Sequence, residues 1–448
     1  MLLARLLTPK DFGLYAMVAV IVSMATLLVD SGMGGALIKK QDITDVDYST
    51  VFIFNIAVAT MLYLVIYVTS PLVADFYKQG ELEPIIKVLG LTLIIRSLGL
   101  IHFAKFTKEL KFKKQSFIFI FSSLFSLLVA YVLAISGYGY WALVGQQLSE
   151  SCLIVLFFIA QSKYFPPLVF SVSAFRVHYS FASKLMLSSL VEVFNRNLVL
   201  VIAGKKLGAN VLGFYTQASK INEIFITVLT EVVDKTSFPI LVKHSSNFES
   251  YISYASNLLK FVSLIGFLCI AILASCSNLI IDIMLGARWS GSAWMLQIIA
   301  FSGYGMILEA VTRSFLKSQG RSKEILQLGI LKSVITVCTL WWVTSFGMSV
   351  ILWGLVFLSL VCAFLNMCVV EKLVNYSVFD QLKSVSSFAA SSLLTFFVVQ
   401  FFVGHTSFQT YVSLFLAGAL SVFVYLVCSA CLNFKDFLLL KKYVVGFR

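Results

Sequence analysis

The sequence is a succession of apolar segments, each about as long as a lipid bilayer is thick. A transmembrane helix needs about 20 mostly apolar residues to cross about 30 Å of hydrocarbon at about 1.5 Å per residue. Segments of this length follow one another along the 448 residues, separated by short polar connections. Since hydrocarbon offers the backbone no hydrogen-bond partner, such segments must be helical. We therefore predict an all-α polytopic membrane protein.

Thirteen transmembrane helices are predicted in this way. They cover roughly residues 12–29, 50–70, 85–103, 117–136, 141–160, 185–203, 218–239, 261–281, 295–315, 325–346, 348–370, 388–403 and 411–432. The longest connections, 161–184 and 240–260, are too short for a folded extramembrane domain. We expect the protein to act within the membrane.

The composition excludes a soluble protein. Hydrophobic residues make up 59% of the chain and charged residues 12%, whereas an average soluble domain contains about 25% charged residues. Too few polar side chains are present to cover the surface of a soluble fold. A compact soluble enzyme and an intrinsically disordered chain are therefore both excluded.

The excess of basic residues follows the predicted topology. The chain has 34 lysines and arginines against 21 acidic residues, which gives a net charge of +13. Most basic residues fall in one alternate set of loops, which the positive-inside rule assigns to the cytoplasm together with the C-terminus. The opposite loops hold Arg5, Lys10, Lys78, Lys205, Lys206 and Arg288. Because this bias accounts for the net charge, nucleic acid is not an expected partner.

Two landmarks recur along the chain and indicate a duplicated half. FGLY at 12–15 is matched by LGFY at 212–215, and VD at 29–30 is matched by VD at 233–234. Both pairs occur in the same order at the edges of apolar segments, as in the parallel repeats of some transporters. An apolar segment precedes the second copy but not the first. We therefore expect the chain to lack the helix that its own symmetry places before residue 12.

Several motifs resemble those of WzxC-type polysaccharide-biosynthesis flippases, which belong to the multidrug/oligosaccharidyl-lipid/polysaccharide exporter superfamily. LARLLTPKDFG at 3–13 is similar to the opening loop of that family. Further similar motifs are DSG at 30–32, ALIKK at 36–40, DYSTVF at 47–52, PLVADFY at 71–77, GYGYWALV at 137–144, LGFY at 212–215, FP at 238–239 and GARW at 286–289. The resemblance covers most of the chain and is specific for the family rather than for a substrate.

The resemblance implies a definite architecture. Family members have two pseudo-symmetric six-helix bundles, often with two further C-terminal helices. On this chain the N-terminal bundle corresponds to residues 1–160, without its first helix, and the C-terminal bundle to 161–370. Residues 371–448 correspond to the two additional helices and a cytoplasmic tail.

The resemblance also implies an activity. The expected function is alternating-access translocation of a polyprenyl-diphosphate-linked oligosaccharide repeat unit across the bacterial inner membrane, for O-antigen, capsule or exopolysaccharide. The expected partners are this lipid-linked oligosaccharide and membrane lipids, with a polysaccharide polymerase and glycosyltransferases as neighbours. Such a protein is a transporter and not an enzyme, and needs no catalytic residue and no cofactor.

Ionisable residues inside apolar segments are candidates for the transport site, because each costs about 2.5–3.5 kcal/mol on insertion scales. Arg96 and Lys332 have no oppositely charged residue at helical spacing. Together with Arg196 and Arg313, they are predicted to bind the diphosphate and the sugars. The guanidinium fork suits a diphosphate, while lysine acts as a point charge. Burial of Arg96 or Lys332 against a carboxylate of another helix is the alternative.

Coupling or gating is predicted for Asp30, Asp234, Glu192 and Glu223. Asp30 and Asp234 occupy matching positions of the repeat, and the alternative for both is simple hydration near a helix end. Glu192 and Arg196 are four residues apart, as are the residues at 309 and 313, so each pair can also neutralise itself along one helix.

No metal site is predicted. Asp42, Asp45 and Asp47 cluster in one loop, which we interpret as a solvated acidic loop. The eight cysteines lie in apolar segments, where they behave as small hydrophobes. The four histidines are scattered and form no ligand set.

Two other functions are compatible with a helical membrane protein. A multidrug efflux transporter of the same superfamily would share the architecture, although a cavity for cationic drugs favours carboxylates over arginine and lysine. A membrane polysaccharide polymerase or glycosyltransferase usually carries catalytic residues on a large extramembrane loop, and the connections here are short.

Overall fold

The computed structural model describes residues 2–30, 32–243, 248–405 and 410–432. The chain divides into two compact units, Met1–Gly213 and Phe214–Arg448. All regular elements in the described residues are helices, which confirms the all-α class. The assignment of residues 1–160, 161–370 and 371–448 to two bundles and an additional pair stays a prediction.

The first unit runs from α1 into the first part of α8. Its elements are α1 (Leu2–Leu6), α2 (Pro9–Asp30), α3 (Met33–Lys39), α4 (Asp45–Tyr77), α5 (Leu82–Lys108), α6 (Phe112–Ile135), α7 (Trp141–Ser162) and the N-terminal part of α8 (Val172–Lys243).

The second unit begins within α8 and continues to the end of the described chain. It contains α9 (Phe248–Ser275), α10 (Ser277–Met284), α11 (Ser290–Ala300), α12 (Ser302–Ser318), α13 (Ser322–Val343), α14 (Met348–Val374), α15 (Val378–His405) and α16 (Thr410–Leu432), with short 3₁₀ turns at Ala287–Trp289 and Thr344–Phe346.

Most of the predicted membrane spans coincide with long apolar helices of the described residues. Eleven helical stretches of these residues are long and apolar enough to cross a bilayer, and a twelfth results if the segments on either side of a 42° bend, Ala287–Ala300 and Ser302–Ser318, form one span. The predicted segments 185–203 and 218–239 lie on opposite sides of the non-helical Gly208 in α8. Among the described residues of α8, Asn197–Glu231 is long and apolar enough to cross.

Helix α8 is interrupted at Gly208, whose φ of 80° and ψ of 173° are not helical. Glycine adopts a positive φ without the steric penalty that a Cβ atom brings. The helix therefore breaks four residues before the second copy of the repeated motif, at 212–215.

The repeated motif marks a close crossing of α2 with α8 inside the first unit. A Cβ atom on Gly13 would overlap the backbone carbonyl of Ala209, and a Cβ atom on Gly213 would overlap that of Pro9. Residues 9 and 209, like residues 13 and 213, are separated by the 200-residue offset of the repeat. The two contacts are thus equivalent under the repeat, and glycine allows the backbones to approach this closely.

Helix α15 is anchored in the second unit by buried hydrogen bonds. The Ser392 hydroxyl donates to the Phe267 carbonyl of α9 at 2.7 Å, and the Tyr304 hydroxyl of α12 donates to Ser392 Oγ at 2.7 Å. Tyr425 of α16 is fully buried, and its hydroxyl donates to the Ser263 carbonyl at 3.4 Å. The last two described helices are therefore packed as part of the second unit.

Candidate functional site

A group of polar side chains connects α2, α5 and α7 within the first unit. Arg96 of α5 is half-buried, and its Nε donates to Ser151 Oγ of α7 at 3.1 Å. The Tyr15 hydroxyl of α2 donates to Gln147 Oε1 of α7 at 3.0 Å. Tyr15 also lies within electrostatic range of both Arg96 and Glu150. We call these five residues the first-unit polar cluster.

The spacing of residues along α7 explains how the cluster forms. Gln147 and Ser151 are four residues apart, so they occupy the same helix face, with Glu150 beside them. The Ser123 hydroxyl of α6 donates to Glu150 Oε1 at 2.6 Å, which holds that carboxylate on the α6 side. This face was not predicted from the sequence because glutamine and serine carry no charge. Their spacing of four was the available signal.

Arg96 forms no contact ion pair in the part of the chain that the structure describes. Asp30, also half-buried, lies within electrostatic range of Arg96. Because a serine hydroxyl is a neutral acceptor, the guanidinium keeps donors and charge for a further anion.

A second cluster of charges connects α12, α13 and α14 in the second unit. Lys332 Nζ of α13 donates to Glu309 Oε1 of α12 at 2.8 Å and to Asn366 Oδ1 of α14 at 2.9 Å. Arg313 Nη2 lies 3.7 Å from the same Glu309 oxygen. These four residues are named the second-unit charge cluster.

Glu309 is shared between two cations. The predicted pairing of Glu309 with Arg313 is present, but Lys332 makes the shorter contact. Lys332 therefore has a partner on another helix. Such burial was the alternative to substrate binding, and the residues near Lys332 in the sequence do not reveal it. Arg313 Nε is buried and has no hydrogen-bond partner among the described residues. This cluster therefore has two cations for one carboxylate and one N–H donor that these residues leave unused.

Among the other predicted site residues, Glu223 is exposed on α8 and belongs to neither cluster. The side chains of Glu192, Arg196 and Asp234 lie outside the described part of the chain. Their predicted roles stay predictions.

The acidic loop differs from its predicted solvated state at one position. Asp47 is only 1% exposed, forms an ion pair with Lys40 Nζ at 2.7 Å, and is hydrogen-bonded to His178 Nε2 at 2.9 Å. Asp47 also forms a capping box with Thr44 at the start of α4. In this motif the side chain of each residue accepts a hydrogen bond from the backbone N–H of the other. The interpretation as a solvated loop was therefore wrong for Asp47, because long-range contacts with α8 cover it.

Asp45 has a separate partner. The Tyr164 hydroxyl donates to Asp45 Oδ1 at 2.7 Å. Burial and this hydrogen bond raise the pKa of the Tyr164 hydroxyl, so it remains protonated and donates at neutral pH. The loop before α4 is thus tied to the segment after α7.

Among the described residues, no group of three histidine, cysteine, aspartate or glutamate side chains could hold a metal ion.

Comparison with known proteins gives consistent matches. Residues 2–294 match the protein family described as polysaccharide biosynthesis protein. The teichuronic acid biosynthesis protein TuaB of Bacillus subtilis strain 168 is 28% identical over 302 residues, covering 66% of this chain and 62% of that protein. The lipopolysaccharide biosynthesis protein WzxC of Escherichia coli strain K12 is 23% identical over 341 residues, covering 75% of this chain and 68% of that protein.

The chain thus spans about three fifths of the length of TuaB. Among solved structures, the lipid II flippase MurJ in an inward closed conformation matches with a TM-score of 0.75 at 13% identity. The match covers 96% of this chain and 95% of that chain. At this identity the match establishes the fold.

Proposed function

This chain belongs to the polysaccharide biosynthesis protein family, and from that membership we propose that it moves a lipid-linked oligosaccharide across a membrane. The family match covers residues 2–294, which is well over half of the chain. The fold is that of a multi-pass helical membrane protein, with eleven or twelve candidate spans in the described residues. Translocation needs no covalent chemistry, so the proposed activity is transport, without a cofactor.

The observation that carries the proposal is a cationic polar cluster inside each unit. A diphosphate and several sugars must pass a medium in which each uncompensated polar group costs several kcal/mol. Arg96 donates to a neutral serine and forms no contact ion pair with any residue that the structure describes. Lys332 and Arg313 share one carboxylate, which leaves a net positive charge. Both arrangements suit an anionic group such as a diphosphate.

Neutral polar groups beside these cations suit the sugars. Gln147, Ser151 and Tyr15 in the first unit, and Asn366 in the second, can donate to or accept from sugar hydroxyls. We assign substrate binding to Arg96, Lys332 and Arg313 on this basis. Arg196 is included from the sequence alone.

Alternating access is the proposed transport mode, with the bundles at 1–160 and 161–370 exposing the substrate to one side and then the other. Asp30, Asp234, Glu192 and Glu223 are the proposed coupling or gating residues. The proximity of Asp30 to Arg96 supports its inclusion, because movement of one charge alters the energy of the other.

The proposed location is the bacterial inner membrane with the C-terminus in the cytoplasm. The distribution of basic residues over alternate loops supports this orientation. Glycosyltransferases that build the substrate and a polymerase that consumes the product are the proposed functional neighbours. Genes for such enzymes beside this one would support that assignment.

Deletion of the gene in its native host tests the function. The expected result is accumulation of a lipid-linked repeat unit on the cytoplasmic face together with loss of surface polysaccharide. Re-expression of the wild-type chain restores the polysaccharide. Unchanged polysaccharide with increased drug sensitivity would contradict the proposal and favour multidrug efflux.

A further inference from the structure

A cavity of about 610 Å³ with four charged side chains in its lining opens in the second unit. It lies between residues 248–260 of α9 and residues 380–384 of α15, and residues 375–377, which connect α14 to α15, line a third side. None of its lining residues belongs to the second-unit charge cluster. The cavity is therefore a feature separate from the proposed transport site.

The cavity is lined by equal numbers of positive and negative side chains. Lys260 and Lys383 contribute the cations, and Glu249 and Asp380 contribute the carboxylates. A ligand with charge of only one sign would meet as many repelling groups as attracting ones. A ligand that carries both signs can place each charge beside its opposite.

Serine and tyrosine hydroxyls form one wall of the cavity. Ser384 is buried, and its hydroxyl donates to the Asp380 carbonyl at 2.8 Å. Ser384 Oγ also lies 3.3 Å from the Tyr376 hydroxyl and 3.4 Å from Ser256 Oγ. The Tyr376 ring packs near Phe315 in the core of the second unit, at a centroid distance of 6.5 Å. This wall is therefore fixed by buried contacts and is in place before a ligand arrives.

The length of α9 and the charges beside the cavity favour a position at a membrane surface. The 28 residues of α9 extend for about 42 Å at about 1.5 Å per residue, whereas the hydrocarbon layer is about 30 Å thick. At least one end of α9 therefore protrudes from the hydrocarbon. The charged Glu249 and Asp380 in the first turns favour the N-terminal ends of α9 and α15 at the level of lipid headgroups. Phe248 and Phe379, in these turns, are 55% and 73% exposed. Apolar side chains beside a charged cavity match the boundary between headgroups and acyl chains.

We propose that this cavity binds the headgroup of a zwitterionic phospholipid with a primary ammonium group, of the phosphatidylethanolamine type. The lysines attract the phosphate, and the two carboxylates accept hydrogen bonds from the ammonium. A trimethylated ammonium has the same charge but no N–H donor, so phosphatidylcholine satisfies the carboxylates less well. This binding site is independent of the proposed transport function.

Native mass spectrometry of the purified full chain tests the site without any substitution. The chain is titrated with phosphatidylethanolamine, its mono- and dimethylated forms, and phosphatidylcholine. We expect affinity to fall stepwise with methylation, by about fivefold in total, the scale of a partly exposed ion pair. Equal affinity along the series would overturn the proposal, as would tighter binding of anionic phosphatidylglycerol than of phosphatidylethanolamine.

Variants of the carboxylates locate the effect. The double substitution Glu249→Gln and Asp380→Asn is expected to abolish the preference for phosphatidylethanolamine over phosphatidylcholine. Lys383→Gln is expected to weaken both lipids. Glu371→Gln, an exposed carboxylate at the end of α14 outside the cavity, serves as the matched control and should keep the preference. A double variant that unfolds at the same temperature as the wild type and keeps the full preference would contradict the assignment.

Discussion

Arg96 and Lys332 have the same charge and were selected by the same sequence criterion, but their surroundings differ. Arg96 donates to a neutral serine, whereas Lys332 contacts the Glu309 carboxylate and the Asn366 amide. The cost of placing an ionised group in an apolar medium is lowered by such partners. Arg96 is therefore the cation whose charge is more available to a substrate, and Lys332 has a larger structural contribution.

Substitution of Arg96 distinguishes a role of its charge in transport from a role in folding. Arg96→Gln breaks no contact ion pair among the described residues, so we expect a folded protein whose export of lipid-linked oligosaccharide falls by about tenfold or more, the scale of a lost charged hydrogen bond. Arg96→Lys should retain part of the activity because it keeps the charge but loses the fork. Surface polysaccharide in a deletion strain measures the effect, with the exposed Lys323→Gln as control. Full export by a folded Arg96→Gln variant removes Arg96 from the site.

Glu309 is expected to be the residue on which the second-unit charge cluster depends. Glu309→Gln leaves Lys332 and Arg313 without their shared carboxylate, which we expect to destabilise the protein by about 1–3 kcal/mol. The double variant Glu309→Gln and Lys332→Gln should recover part of that loss. Thermal unfolding in detergent measures the coupling through a double-mutant cycle. Strictly additive effects would show that the two side chains do not depend on each other.

The candidate site was only partly predictable from sequence. Charges in apolar segments identified Arg96, Lys332 and Arg313, because ionised side chains are rare at such positions. Partners on other helices could not be predicted, since the sequence does not show which helices pack together. Gln147, Ser151 and Asn366 were missed for the same reason, although each contributes a polar group to a cluster.

At the scale of helices and their ends, spans were predicted well where an apolar segment is continuous, whereas the helix ends within α8 were not predicted. The segment 218–239 contains several charges, and the predicted gap between 203 and 218 is helical except at Gly208. Hydropathy reports the apolar character of a segment but does not report where a helix ends. Boundaries depend on local backbone preferences, such as the capping box of Thr44 and Asp47.

The N-terminus of α4 gives a prediction at this scale. Asp47→Asn removes the ion pair with Lys40, changes the hydrogen bond with His178 and weakens the cap, so we expect a loss of about 1–3 kcal/mol of stability. Asp42→Asn in the same loop is the matched control, because Asp42 is exposed, and should change stability by less than about 0.5 kcal/mol. Thermal unfolding of the two variants measures the difference. Equal effects would contradict the structural role of the buried carboxylate.

The crossing of α2 with α8 gives a second prediction about the helices. Gly13→Ala places a methyl group against the Ala209 backbone, which cannot move aside as a side chain can. We expect a loss of about 1–3 kcal/mol, the usual cost of overpacking, and a similar loss for Gly213→Ala. Gly418→Ala in α16 is the control, because a Cβ atom there meets open space, and alanine favours helix over glycine. A Gly13→Ala variant as stable as the control would show that the close crossing is not required.

For the whole molecule, the sequence predicted the class and the family, because both follow from repeated apolar segments and local motifs. The organisation into the units Met1–Gly213 and Phe214–Arg448 required the structure, since the boundary falls inside a motif and no linker marks it. The cavity between α9 and α15 was also hidden, because its charged residues come from segments more than a hundred residues apart. Local pattern is thus informative about segments, and tertiary packing decides which of them share a site.

Transport by the purified protein is the decisive test of the proposed translocation of a lipid-linked oligosaccharide. The full chain is reconstituted into vesicles that contain a fluorescent polyprenyl-diphosphate oligosaccharide, and the fraction of sugar accessible to a membrane-impermeant reagent is followed over time. We predict that the wild-type chain makes the sugar of the inner leaflet accessible. The Arg96→Gln variant should do so at about one tenth of the wild-type rate or below. Accessibility no different from protein-free vesicles, with a chain shown to be folded, would contradict the account.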